Sequence, residues 1–113
     1  MLTPDEAAAF AEGHRAAGRR VVLTDGVFDL LYPSHVRLLA GARAQGDILI
    51  VVIPSDRAVR EKLGASRPIT IESERAEILE ALAAVDAVVV SDQASLQAII
   101  EQIRPDVVAP GEQ

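Results

Sequence analysis

The stretch "GVFDLLYPSH", residues 26 to 35, carries a Gly, a Phe-Asp pair and a His close together, directly after the apolar run Val21-Val22-Leu23. Asp25-Gly26 allows a sharp turn out of a strand, because Gly tolerates φ > 0. Pro33 suits a helix start and Ser34 is a good N-cap. His35 then falls in the first turn, where free backbone N–H groups and the positive end of the helix dipole favour a phosphate. His35 can donate a further hydrogen bond to the same phosphate. The plain alternative is a capped helix with an incidental His.

A second stretch, "DRAVREKLGASRP", places Arg57, Arg60, Lys62 and Arg67 close together in a net acidic chain. Arginine forks and lysine point charges both suit polyphosphate. Asp56 and Glu61 lie among them, so Arg57 and Arg60 read better as a solvated helix face. Lys62 and Arg67 flank a Gly-containing loop and are the better phosphate candidates. "GHRAAGRR" reads as a helix end with cations opposing the dipole, and His14 as exposed and inert. Ser73 or Glu72 is the expected cap of the helix they begin. Asp86 and Asp92 flank a strand and read as ordinary strand-end residues.

Other chemistries find no residues. The chain has no Cys, and its two His are far apart in sequence, so no metal cage is expected. Neither G-x-x-x-x-G-K-[ST] nor G-x-G-x-x-G occurs. A formal charge of -6 and only two Phe and one Tyr argue against a nucleic-acid binder. No run of about 18 apolar residues and no leader-like N-terminus is seen, so a cytoplasmic protein without membrane contact is expected.

The elements that must position these residues follow from patterning. Residues 3 to 18 read as a helix with Thr3 as cap, Pro4 in the first turn, Glu6 closing a capping box and Gly18 as the stop. Residues 19–24, 47–55, 86–92 and 105–111 read as strands, rich in β-branched residues and too continuously apolar for one wet face. Residues 34–46, 55–64, 72–85 and 93–104 read as helices. Ile78, Leu79 and Leu82 form the expected inner face of the third of these, and Leu96, Ile99, Ile100 and Ile103 that of the last. Strands alternating with helices predict a single α/β domain over residues 1–113, doubly wound, with a mainly parallel sheet of about four strands and helices on both faces. Ligands of such sheets bind beyond the carboxyl ends of the strands, which is where residues 26–35 begin. The last strand, "DVVAP", is an expected exposed edge, and a homodimer or another partner is expected to cover it.

Several separated stretches together resemble the cytidylyltransferase-like nucleotidyltransferases, and most of all the adenylyltransferase domain that makes ADP-heptose. "VVLTDGVFDLLYPSHVRLLAGARAQGDILIV" follows the family's opening G-x-F-D-x-x-H-x-G-H, helix and strand. "VVIPSD", "SRPITIESERAEILEALAAVDAVV" and "IRPDVVAPGE" continue it in order. The resemblance covers about residues 20–112. It implies a Rossmann-like fold and transfer of a nucleotidyl group from ATP or CTP to a small phosphate-bearing acceptor such as a sugar phosphate. Pyrophosphate leaves, usually with Mg²⁺ present. By position it implies His35 and Lys62 at the phosphates, with Gly26, Val27 and Phe28 at the turn beside the nucleotide, and Arg75 opening a following helix. Tyr32 stands where the family has its first histidine, and Ser34 where it has the motif glycine. Tyr32 can donate one hydrogen bond but carries no cation near neutral pH. The family's later Ser/Thr-rich motif has no counterpart in these residues, and four strands are expected where the family has five. A non-catalytic nucleotide-binding or regulatory module, and a structural oligomerisation domain, remain as alternatives on the same scaffold.

Overall fold

The computed structural model describes residues 1–92 and 95–112. Helix α1 (Pro4–Ala16) leads into β1 (Val21–Asp25), α2 (Pro33–Arg43), β2 (Ile48–Pro54), α3 (Asp56–Leu63), α4 (Glu72–Glu80), β3 (Ala87–Ser91), α5 (Leu96–Ile103) and β4 (Val107–Val108). The expected start of the last helix includes Gln93 and Ala94, which lie outside the described residues. The strands form one sheet in the order β3-β2-β1-β4, every pairing parallel. This is the doubly wound α/β architecture that the alternation predicts.

The buried strands explain the continuous apolar runs. Val21 and Leu23 face one side of the sheet, packed with Ala7 and Ala11 of α1 and Ile99 and Ile103 of α5. Val22 faces the other side, with Leu39 of α2 and Ala76 and Leu79 of α4. Most residues of β1, β2 and β3 are buried whichever way they point, so period-two alternation has no wet face to mark. Thr3 closes the α1 capping box with Glu6, and Gly18 turns at φ 81. Leu2 bridges to Val89 and covers part of the β3 edge. Val108, at the β4 edge, is exposed.

Helix α4 differs from its expected form. It ends at Glu80, and Ile71 is its N-cap in place of Ser73 or Glu72. Glu72 instead takes the first helical position. Its carboxylate accepts the Asp56 N–H at 2.9 Å, while Asp56 accepts the Glu72 N–H at 2.8 Å. Two helix starts lie side by side, and each first acid serves the other's orphan donor. Arg75, Ala76 and Leu79 face inward, and Ile78 is 47% exposed. Ile78 therefore leaves the face the sequence gives it, because Arg75 and Leu79, four residues apart, set the buried stripe. His14 also departs from its expected exposure. It is half-buried, its ring sits edge-on to Phe10 at 4.5 Å, and its Nδ1 lies 3.2 Å from Arg19.

The two faces of α4 give opposite expectations. Leu79→Ala should destabilise by about 2–5 kcal/mol, whereas Ile78→Ala should stay within about 0.5 kcal/mol. Urea denaturation midpoints of the two variants measure this directly, and equal losses would contradict the placement.

Candidate nucleotide site

The strand order reverses between β1 and β4, because β1, β2 and β3 step one way and the chain then crosses back. At such a switch point the carboxyl ends of neighbouring strands leave a crevice for ligands. Two segments border it: residues 26–32 after β1, and residues 109–112 after β4. The second segment stays beside β1 past the end of its own strand. The Ala109 N–H bonds Leu23 O at 2.9 Å, and the Glu112 N–H bonds Asp25 O at 2.9 Å. The Thr24 hydroxyl donates to Pro110 O at 3.1 Å.

The loop after β1 is fixed by side chains from outside it. Phe28 is fully buried and adopts a φ of 50, an uncommon conformation for a residue with a Cβ. The Glu112 carboxylate accepts the Val27 N–H at 2.8 Å and the Phe28 N–H at 3.0 Å through one oxygen. Its other oxygen lies 2.9 Å from His35 Nε2. The guanidinium of Arg75, fully buried, donates to Val27 O at 3.1 Å, Thr70 O at 2.9 Å and Asp56 at 3.0 Å. Asp29 reaches the other way and accepts the N–H groups of Ile69 and Thr70, with Arg67 3.3 Å away.

The start of α2 is built differently from the sequence reading. Tyr32 is the N-cap, Pro33 opens the helix, and Ser34 sits one residue inside it, exposed. The reason lies in His35. Its Nδ1 accepts the Tyr32 N–H at 3.0 Å, the part that Glu or Gln plays in a capping box. A ring nitrogen that accepts carries no proton, so the proton belongs on Nε2, which points to the Glu112 carboxylate. The half-buried imidazole is held edge-on to the Phe28 ring, with centroids 5.5 Å apart. The Tyr32 ring lies 5.5 Å from the same imidazole and is 56% exposed.

On the other side of Gly26 opens a cavity of about 410 Å³. It lies over the carboxyl ends of β1, β2 and β3, walled by α3 and α5, with Asp25, Gly26, Lys62, Ser91 and Asp92 on its lining. Gly26 is required by its surroundings: a Cβ there would come within 2.6 Å of the Glu112 Cβ and 2.7 Å of the Phe28 ring. Burial pushes the Asp25 carboxyl above its ordinary value, Lys62 pulls it back, and Glu112 adds to the rise. Asp25 and Lys62 thus line the cavity together, and the Glu112 carboxylate on the crevice side acts on Asp25.

The candidate residues thus fall into four places. Gly26, Val27, Phe28 and His35 converge on the crevice, and Lys62 reaches the adjoining cavity. Tyr32 and Ser34 are exposed at the start of α2. Arg67 and Arg75 stand behind the loop, where Arg67 pairs with Asp29 and Arg75 spends its donors on the protein itself, so neither lines the cavity. Sequence reasoning gave Glu112 no role, and the Phe28 and Val27 N–H groups that it accepts lie 84 and 85 residues away. Among the described residues, no three His, Cys, Asp or Glu side chains cluster to hold a metal ion. Nor is any helix among them long and apolar enough to cross a membrane.

Asp29 gives this loop a testable pH signature. Burial raises its pKa, but the N–H groups of Ile69 and Thr70 and the Arg67 guanidinium outweigh it and hold the carboxyl below its ordinary 3.8. A folded value below the unfolded one means stabilisation present above the unfolded value and lost as pH falls through the folded one. Asp29→Ala should cost about 2 kcal/mol at pH 7. Its gap from the unsubstituted chain should narrow below pH 4 in urea titrations, and a gap constant with pH would contradict this account.

The chain is similar to several known proteins. The family model described as cytidylyltransferase-like matches residues 23–113. The bifunctional protein HldE of Koribacter versatilis is 48% identical over 111 residues, 98% of this chain but 23% of that protein. The bifunctional protein HldE of Geotalea uraniireducens is 44% identical over 107 residues, 95% of this chain and 22% of its own length. The chain therefore spans less than a quarter of the curated relatives it matches. Among solved structures, the lipopolysaccharide core biosynthesis protein from Thermoplasma volcanium superposes with a TM-score of 0.72 at 27% identity, over 80% of this chain and 73% of that one. The chain belongs to the cytidylyltransferase-like family.

Proposed function

We propose that this chain is a nucleotidyltransferase domain that transfers a nucleotidyl group from ATP or CTP to a sugar phosphate, with heptose phosphate as the acceptor class, and releases pyrophosphate. One observation carries the reading. The Val27 and Phe28 N–H groups and His35 Nε2 converge on a single anionic group at the switch point of a parallel sheet. Three fixed donors aimed at one anion suit a phosphate.

In the reaction an acceptor phosphate oxygen attacks the α-phosphorus of the nucleotide, and the bond to the pyrophosphate oxygen breaks. No covalent intermediate on the protein is required, so positioning and charge stabilisation do the work. His35 donates from Nε2, with the Tyr32 N–H fixing its tautomer. Backbone N–H groups stabilise charge without having to reorient. Lys62 brings a positive charge from the cavity side, where the acceptor is proposed to sit. Tyr32 supplies at most one neutral donor where the family has a histidine, which at the cost of one charge-stabilising donor slows turnover about a hundredfold. Mg²⁺ enters this reading as the counter-ion of the phosphates, since magnesium usually keeps its waters and few protein carboxylates. A cytoplasmic location, where nucleoside triphosphates are available, belongs to the same reading. So does a homodimer that covers the β4 edge.

Calorimetric titration with ATP and with CTP, each with Mg²⁺, tests the proposal. One nucleotide should bind, and His35→Ala should weaken it about tenfold to a hundredfold, the worth of a hydrogen bond to a charged group. Tyr32→His should raise pyrophosphate release. Absence of heat with both nucleotides, from a folded sample, would contradict the reading.

A further inference from the structure

The three donors that suit a phosphate are already engaged by a group of the protein. Glu112 places one carboxylate oxygen on the Val27 and Phe28 N–H groups and the other on His35 Nε2, at 2.8, 3.0 and 2.9 Å. The carboxylate and a phosphate oxygen pair have the same charge sign and the same demand for donors. They cannot both use this cradle. We propose that Glu112 is an autoinhibitory plug, a built-in competitor that nucleotide phosphate must displace. This inference rests on the reading of the cradle as a nucleotide phosphate site.

Three features make displacement mechanically simple. First, the Glu112 backbone is held independently of its side chain, by the N–H bond to Asp25 O. Rotation about the side-chain bonds alone clears the cradle, and the strand pairing stays intact. Second, the side chain is 20% exposed, so it is not sealed inside the protein. Third, Glu112 is tied to Asp25 through its backbone N–H, and its charge repels the Asp25 carboxylate and adds to the upward push on that carboxyl. That repulsion opposes closure, while the three donors favour it. Glu112 also adds negative charge just where a polyphosphate must arrive. The apparent affinity for nucleotide is then the intrinsic affinity reduced by the fraction of molecules with the cradle open.

A purely structural role for Glu112 makes the opposite prediction. If the carboxylate only braces the loop, its removal loosens Val27 and Phe28 and weakens any ligand there. The plug predicts a split: removal lowers the stability of the unliganded chain and raises its affinity for phosphate. Glu112→Gln keeps size and one acceptor but loses the charge, and charge-assisted hydrogen bonds are about twice as strong as neutral ones. Glu112→Ala removes the competitor altogether.

The test titrates tripolyphosphate, and then ATP and CTP with Mg²⁺, into the full chain, Glu112→Gln, Glu112→Ala and Glu112→Gln/His35→Ala. Thermal unfolding without ligand is measured on the same samples. Expected are a lower unfolding temperature and about tenfold tighter tripolyphosphate binding in both single variants, with the gain lost in the double variant. The Val27 and Phe28 amide resonances should move on addition of tripolyphosphate. Binding to the unsubstituted chain that is unchanged or weaker in both single variants would overturn the plug and leave the nucleotide site standing. No binding of tripolyphosphate or nucleotide by any folded variant would overturn both.

Discussion

A guanidinium taken fully out of water must find an acceptor for each of its faces, and Arg75 meets that demand by drawing three separate segments together. Its donors reach Val27 O in the loop after β1, Thr70 O in the loop before α4 and Asp56 at the start of α3. Removing any one acceptor would leave a buried charge short of a partner, which is far costlier than losing an exposed pair. The shape of the candidate site depends on this group although it lies outside the cavity. The loop that carries the backbone donors and the helix that carries Lys62 are both registered against it.

The same loop shows how a short segment with little regular structure becomes a rigid donor array. Val27 has its carbonyl taken by Arg75 and its N–H by Glu112. Asp29 anchors the far end through the Ile69 and Thr70 N–H groups. Between them Phe28 keeps a positive φ with its ring buried. Such a conformation persists only where surrounding contacts over-determine it. Donors held this way need no reorganisation when charge develops in front of them, which is the condition for electrostatic stabilisation. A flexible loop with the same residues would lose that advantage.

Cradle and cavity are separated by Gly26, where a side chain would meet both Glu112 and Phe28. The proposed reaction would use this adjacency, with one phosphate-bearing partner approaching from the switch-point crevice and one from the cavity under α3 and α5. Lys62 and Asp25 share the boundary, and the Asp25 pKa registers both Lys62 and Glu112. The exposed positions at the start of α2, Tyr32 and Ser34, stand at the rim of this arrangement.

Local patterning determined most of the framework. The alternation of β-branched runs with helical periodicity carried the parallel α/β fold, and the Gly-x-Phe-Asp turn with a His beyond it marked the region of the site. These are short-range signals, since a few neighbouring residues suffice to express them. Ile78 and Ser34 stand elsewhere than the same kind of signal predicts, because which helix face turns inward and which residue caps a helix depend on distant partners. Tertiary structure alone decided the strand order, the Asp56–Glu72 exchange between helix starts, and the meeting of Glu112 with Val27 and Phe28 across more than eighty residues. Nothing in the letters around Glu112 signals that meeting. It exists because a crossover returns the chain to the free edge of β1, and only the packed sheet brings that edge and the first loop together.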